Sequence, residues 1–171
     1  QALSKQYTTV EIHAGHNSSG VLIASKLDEE PVFTTGMPHV DSTVEEPRVL
    51  TASFHLTPMV IVAVYVPFNN PKTVNRDIYA ATFRQRLFEY LAQIHPRTSQ
   101  RYRDVIVAGD FQVALADIDE SVQVLESPGS TTAERQDFHD ILALGFSDTF
   151  RDLHPAAREY TCESTYPEWN I

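Results

Sequence analysis

The sequence predicts a layered α/β fold, and three observations carry that expectation. Three β-rich runs, Val21–Ala24, Val49–Leu56 and Met59–Val66, precede the first segment with helical spacing. Two stretches, Arg76–Ile94 and Ala133–Leu144, repeat apolar residues at the period of an amphipathic helix. Between them a β-branched strand, Val105-Ile106-Val107-Ala108, hands Gly109 and Asp110 to a sharp turn. Strands followed by helices that each bury one face build a layered core. With 171 residues and 42% hydrophobic composition the chain can support such a core, and one domain, or most of one, is the economical reading.

Taken in order, Val21–Ala24 is a short strand, and Asp28–Pro47 is an acidic, proline-marked surface loop with at most a short strand near Val32 and Phe33. Val49–Leu56 and Met59–Val66 are joined tightly at Thr57-Pro58, which predicts an antiparallel hairpin whose second strand is buried and central. In Arg76–Ile94, the residues Tyr79, Phe83, Leu87, Tyr90, Leu91 and Ile94 share one face, with Arg84, Arg86 and Glu89 facing water, and Pro96 stops the helix. The second helix turns Phe138, Ile141 and Leu142 inward. Thr131 and Glu134 form a capping box at its start, and Gly145 closes it.

A formal charge of −10, from 23 acidic and 13 basic side chains, argues against a nonspecific nucleic-acid surface spread over the whole chain. Arg97, Arg101 and Arg103 before the Asp110 strand, with Arg84 and Arg86, form a local basic rim; they solvate a helix-to-strand connection or touch phosphate or RNA. One cysteine, Cys162, excludes an internal disulfide and a cysteine zinc cluster, and reads as a packed residue. The chain begins with Gln1, shows no basic-plus-apolar leader and has no apolar run long enough to span a bilayer. These features predict an intracellular, reducing setting, with nucleus, cytoplasm and mitochondrion not distinguished and no membrane partner.

Several segments, in order, resemble one family. Ser19-Gly20-Val21-Leu22-Ile23-Ala24-Ser25-Lys26 is similar to its Gly-Val-small-x-Ser-Lys strand, and Tyr65-Val66-Pro67-Phe68-Asn69 to its Tyr-Val-Pro-Asn loop. Val107-Ala108-Gly109-Asp110-Phe111-Gln112-Val113-Ala114 resembles its Gly-Asp-aromatic/Leu-Asn-x-Ala signature. Thr132-Ala133-Glu134-Arg135, the run Gly145 to Pro155, and Tyr160-Thr161-Cys162 complete the series. Together they resemble the exonuclease III and apurinic/apyrimidinic endonuclease branch of the endonuclease/exonuclease/phosphatase superfamily. The resemblance implies part of a four-layer α/β/β/α sandwich, two facing sheets with helices on their outer sides. It further implies that residues 1–171 are an internal portion of one such domain. The family's early metal-binding Glu and the first Asn or Asp of its active site would precede Gln1, and its terminal Gly-Trp-Arg-x-Asp-Tyr and Ser-Asp-His segments would follow Ile171. An incomplete sandwich exposes edges, which calls for a completing polypeptide or a larger assembly.

In this family a divalent ion stabilises the transition state of phosphodiester hydrolysis while an Asp positions or deprotonates the attacking water. By resemblance, Asp110 is the water-positioning carboxylate, Gln112 the phosphate-orienting amide and Tyr65 a second phosphate contact. Gln112 stands where the family has Asn, moving the amide by one methylene; Phe68 stands where it has a polar residue, with Asn69 one place on. Glu45-Glu46-Pro47-Arg48 replaces an acidic-Gly-Arg turn. These departures point to relaxed site constraints and to a catalytically degenerate nuclease-fold domain acting as a structural or interaction component of a larger protein or ribonucleoprotein assembly. The alternative is a fragment of a Mg-dependent AP endonuclease/3′-exonuclease of base-excision repair. The first needs no cofactor in this chain and the second needs Mg; DNA or RNA is a candidate partner in either. A phosphoinositide phosphatase fits less well, because the Thr-Ala-Glu-Arg and Gly-Phe-Ser-Asp-Thr-Phe-Arg segments resemble the repair branch.

Other polar residues have structural explanations first. Capping and a local ion pair account for Glu134 and Arg135, and Asp148 and Thr149 are placed to hold the following turn. Arg151 braces the sheet or approaches DNA. His13 with His16, His139 and His154 lack the companions a metal or catalytic site needs.

Overall fold

The computed structural model describes residues 6–15, 19–38, 47–70, 73, 75–97, 104–120 and 127–161. His16, Glu45, Glu46, Arg101, Arg103 and Cys162 lie outside them. The chain divides into two compact units, Gln1–Val66 with Glu89–Phe111, and Pro67–Phe88 with Gln112–Ile171.

The first unit holds two sheets. Strands β1 (Thr9–Ala14) and β2 (Gly20–Ser25) form an antiparallel pair. Strands β3 (Val32–Thr35), β4 (Val49–Phe54), β5 (Met59–Tyr65) and β6 (Asp104–Asp110) form a sheet in that order, antiparallel except for the parallel β5–β6 pair. Both sheets meet through Ile23, which packs with Leu50, Ala52, Phe54 and Ala63. All six residues of β4 are buried. Its second face is covered by the last turns of helix α1 (Arg76–Ile94), where Thr51 Oγ1 and the Tyr90 hydroxyl lie 2.7 Å apart and share a buried hydrogen bond. Sheet, sheet and helix thus stack as three layers.

The β4–β5 hairpin has the predicted pairing, but β4 stops at Phe54 rather than Leu56. Residues 55–58 form a turn whose backbone N–H groups, those of His55, Leu56 and Thr57, all donate to the Glu29 carboxylate. What burial Glu29 has pushes its carboxyl up, yet the N–H groups of Leu56, Thr57 and His55 outweigh this and hold it below the ordinary value. The expected surface loop contributes β3, which pairs with β4.

Strand β1 was not expected. Glu11 and His13 interrupt its apolar residues, and His13, read from sequence as a loop histidine, sits on this strand with Nδ1 3.1 Å from the Val49 carbonyl. Its opposite face carries Val10 and Ile12, with Ile12 59% exposed.

Helix α1 has the predicted bounds, and its buried residues, Ala80, Phe83, Leu87, Tyr90 and Leu91, recur on one face. In the second unit, α2 (Thr132–Ala143) buries Ile141, and α3 (Thr149–Leu153) follows after a turn at Gly145, whose φ of 114° suits glycine. A short 3₁₀ turn spans Asp117–Asp119. Arg84 departs from its expected solvent role. Its guanidinium reaches Asp137 at 2.7 Å and Glu134 at 3.8 Å.

A candidate functional site at a strand end

The parallel register places Tyr65 directly opposite Asp110 at the carboxyl ends of β5 and β6. Val66 N–H then donates to the Asp110 carbonyl at 2.9 Å, extending the ladder one step past the strand. Carboxyl ends of parallel strands are where α/β sheets place reactive groups. Asp110 is exposed there, and Tyr65 is half-buried.

Gly109 explains how the Asp is delivered. Its φ is 149°, and a Cβ in its place would lie 1.8 Å from the Val64 carbonyl oxygen. Only glycine lets β6 come this close to β5 just before Asp110. Arg48 covers the other side of Tyr65: its Cζ lies 4.7 Å from the ring centroid, and Nη1 donates to the Tyr65 carbonyl at 3.2 Å.

Gln112 adopts φ 53°, a left-handed backbone that asparagine tolerates far better than glutamine. The loop after it is tied to the turn before α2, with Ala114 N–H donating to the Gly129 carbonyl at 2.7 Å. Gln112 is therefore a turn residue by conformation, whatever its amide contacts. In the loop after β5, Arg76 Nε donates to the Phe68 carbonyl at 3.1 Å. The Asn69 Oδ1 is buried and has no hydrogen-bond partner.

The remaining motif residues are consumed by structure. Glu134, 2% exposed, accepts from Gly129 N at 2.9 Å, from Thr131 N at 3.2 Å and from Thr131 Oγ1 at 2.7 Å, while Glu134 N donates back to Thr131 Oγ1. This is the capping box with Arg84 added. Arg135 bridges Asp117 at 2.8 Å and Glu120 at 3.1 Å. The Asp117 bond keeps its guanidinium above the ordinary arginine range despite the opposing effect of burial, with Glu120 adding to it. Asp148 caps α3 by accepting from Arg151 N at 3.0 Å. Arg151 pairs with Asp119 and donates to the carbonyls of His154 at 2.9 Å and Ala157 at 3.0 Å. It braces its own turn rather than the sheet. His139 is exposed on α2, and the His154 ring stacks tilted on Phe150 with centroids 5.1 Å apart.

Asp117, Asp119 and Glu120 as arginine partners, the Glu29 clamp and the Arg48–Tyr65 stack escaped the sequence reading. Their signals are isolated charges separated from their partners by 15 to 32 residues in the chain, so local spacing does not reveal them. Among the described residues no group of three or more His, Cys, Asp or Glu side chains is placed to hold a metal ion. A single carboxylate, Asp110, does not fit a divalent-cation site.

Comparison with known proteins places this strand end in context. No family model matches the chain. It is 30% identical over 139 residues to an exodeoxyribonuclease of Streptococcus pneumoniae, covering 80% of this chain and 48% of that protein. It is 31% identical over 144 residues to the DNA repair nuclease APEX1 of Danio rerio, covering 80% and 42% respectively. The solved structure of an AP endonuclease from Archaeoglobus fulgidus superposes with a TM-score of 0.79 at 26% identity, covering 95% of this chain and 61% of that one. Over most of its length the chain is thus similar to proteins of the exonuclease III and AP endonuclease branch of the endonuclease/exonuclease/phosphatase superfamily. This exonuclease III-like chain spans about half the length of the curated relatives it matches. No helix among its described residues is long and apolar enough to cross a membrane.

Proposed function

We propose that this exonuclease III-like segment is a catalytically degenerate nuclease-fold domain, an internal portion of its domain, serving as a structural or interaction component of a larger protein or ribonucleoprotein assembly. The observation that carries this reading is Gln112. It combines a longer side chain with a left-handed backbone at the position where the family has asparagine. An amide carried one methylene further from such a backbone cannot occupy the place of the shorter one, and orientation-dependent contacts tolerate little displacement. Phe68 supports the same reading, because a phenyl ring supplies neither the donor nor the acceptor of an amide.

A second reading has its own support. Gly109, Asp110 and Tyr65 keep a strand-end geometry suited to presenting a carboxylate and a phenol together, and the matched relatives are named as nucleases. In that reading the chain belongs to a Mg-dependent AP endonuclease or 3′-exonuclease acting on DNA. Asp110 positions the attacking water and Tyr65 contacts a phosphate oxygen, while the carboxylates that hold Mg come from outside the described residues.

One experiment separates the two. The protein is incubated with an abasic-site duplex and Mg, both as these 171 residues and as its complete natural reading frame, with Asp110→Ala alongside. The degenerate reading expects no incision by either form beyond the Asp110→Ala background. Incision that disappears in Asp110→Ala overturns it in favour of the nuclease. Native mass spectrometry of the gently isolated protein then tests assembly: comigrating macromolecules in fixed ratio support the scaffold role, and a partnerless monomer counts against it.

A further inference from the structure

At the end of the four-stranded sheet, three residues from consecutive strands stand in one row. Arg48 immediately precedes β4, Tyr65 ends β5 and Asp110 ends β6. Tyr65 N–H donates to the Arg48 carbonyl at 2.8 Å. The Arg48 side chain returns a bond to the Tyr65 carbonyl at 3.2 Å and lays its guanidinium 4.7 Å from the ring centroid. One side chain therefore restrains both the main chain and the ring of the same tyrosine. A planar, forked cation can do both at once: its face meets the ring while an edge N–H meets the carbonyl. A lysine ammonium can approach the ring or the carbonyl, but it offers no plane to stack.

Tyr65 needs such a restraint. It is the last residue of its strand, half-buried, with its ring at the boundary between the packed sheet and solvent. A phenol in that place samples several side-chain orientations unless something holds it.

We propose that Arg48 is a positioning residue: it fixes the Tyr65 phenol in one orientation beside Asp110, and so decides where a bound phosphate oxygen meets the hydroxyl. The positioning itself is a property of this chain. Its consequence for phosphate rests on reading Tyr65 as a phosphate contact, so the test measures the two separately.

The first measurement is NMR of the complete protein with ¹³C-labelled tyrosine rings, the Tyr65 signals being assigned by their loss in Tyr65→Phe. Arg48→Met is expected to shift the Tyr65 ring signals and average them toward those of a mobile tyrosine. Arg48→Lys, which keeps the charge and is the variant to use if Arg48→Met does not fold, is expected to restore them only in part. Tyr65 ring signals that are unchanged in folded Arg48→Met, or fully restored by lysine, overturn the proposal. A purely structural role would lower the melting temperature and leave those signals in place. If the complete protein incises an abasic duplex, Arg48→Met is expected to lower kcat about tenfold with little change in KM; an unchanged kcat overturns the consequence for phosphate. Wild-type protein without incision removes the nuclease reading, and the NMR result still decides whether Arg48 positions Tyr65.

Discussion

Two stretches of this exonuclease III-like chain carry the family resemblance with equal clarity and are built in opposite ways. At the end of β6, the backbone does the work: Gly109 lets the strand approach Val64, and the carboxylate of Asp110 is delivered to an exposed place opposite Tyr65. At the start of α2, side chains do the work: Thr131, Glu134 and Arg84 close a network around a carboxylate only 2% exposed. A motif residue can thus stand at an exposed strand end or be enclosed in a helix cap, and burial distinguishes the two.

Substitutions can break or sharpen this contrast, and the largest expected effect is at the strand end. Gly109→Ala forces a methyl into the Val64 carbonyl at a φ of 149°, and should cost about 4 kcal/mol or leave the protein unfolded, read by urea denaturation. A loss under about 1 kcal/mol would show that β6 can move away freely and that the backbone does not hold Asp110. At the helix start, Glu134→Ala strands three donors, those of Gly129 N, Thr131 N and Thr131 Oγ1, and removes a partner of Arg84. About 2–3 kcal/mol should be lost by the same measurement. Thr131→Ala removes one cap and should cost about 1 kcal/mol.

Two smaller effects refine the comparison. Gln112→Asn puts the residue that best tolerates a left-handed backbone at φ 53°, and should stabilise by about 0.5 kcal/mol. Destabilisation would mean that the glutamine side chain contributes more than its backbone costs. Glu29 tests a carboxylate clamp outside both stretches. Its pKa is held below the ordinary carboxylate value, so its contribution is present above that value and is lost as pH falls through the folded-state pKa. The stability difference between wild type and Glu29→Gln should therefore narrow in denaturation curves taken from neutral pH into the acid range. A difference independent of pH would show that the turn does not depend on the charge.

Much of the scaffold could be read along the chain. The hairpin of β4 and β5, the bounds of α1, the capping box at α2 and the strand ending at Asp110 all rest on local periodicity or on residues within a few positions of one another. Strand β1 could not be read this way, because Glu11 and His13 break its apolar run while its pairing with β2 depends on residues 6 to 16 positions away. Helical spacing puts Arg84 on the correct helix but on its solvent side, since its partners Asp137 and Glu134 lie about fifty residues on. The candidate site divides similarly: Asp110, Gln112 and Tyr65 were named from motifs, whereas Arg48 acquires its relation to Tyr65 only through strand register.

By itself, the sequence determined the β4–β5 hairpin, the two long helices and their apolar faces, and that a glycine and an aspartate end the β6 run, because those properties depend on propensity and short-range spacing. Tertiary structure decided which charges are spent on remote partners: Glu29, Arg84, Arg135 and Arg151 bind backbone or side chains at least 15 residues away, and Arg48 stacks on Tyr65. A hydrogen bond or ion pair acts over a few ångströms in space, and that separation exists only after the chain has folded.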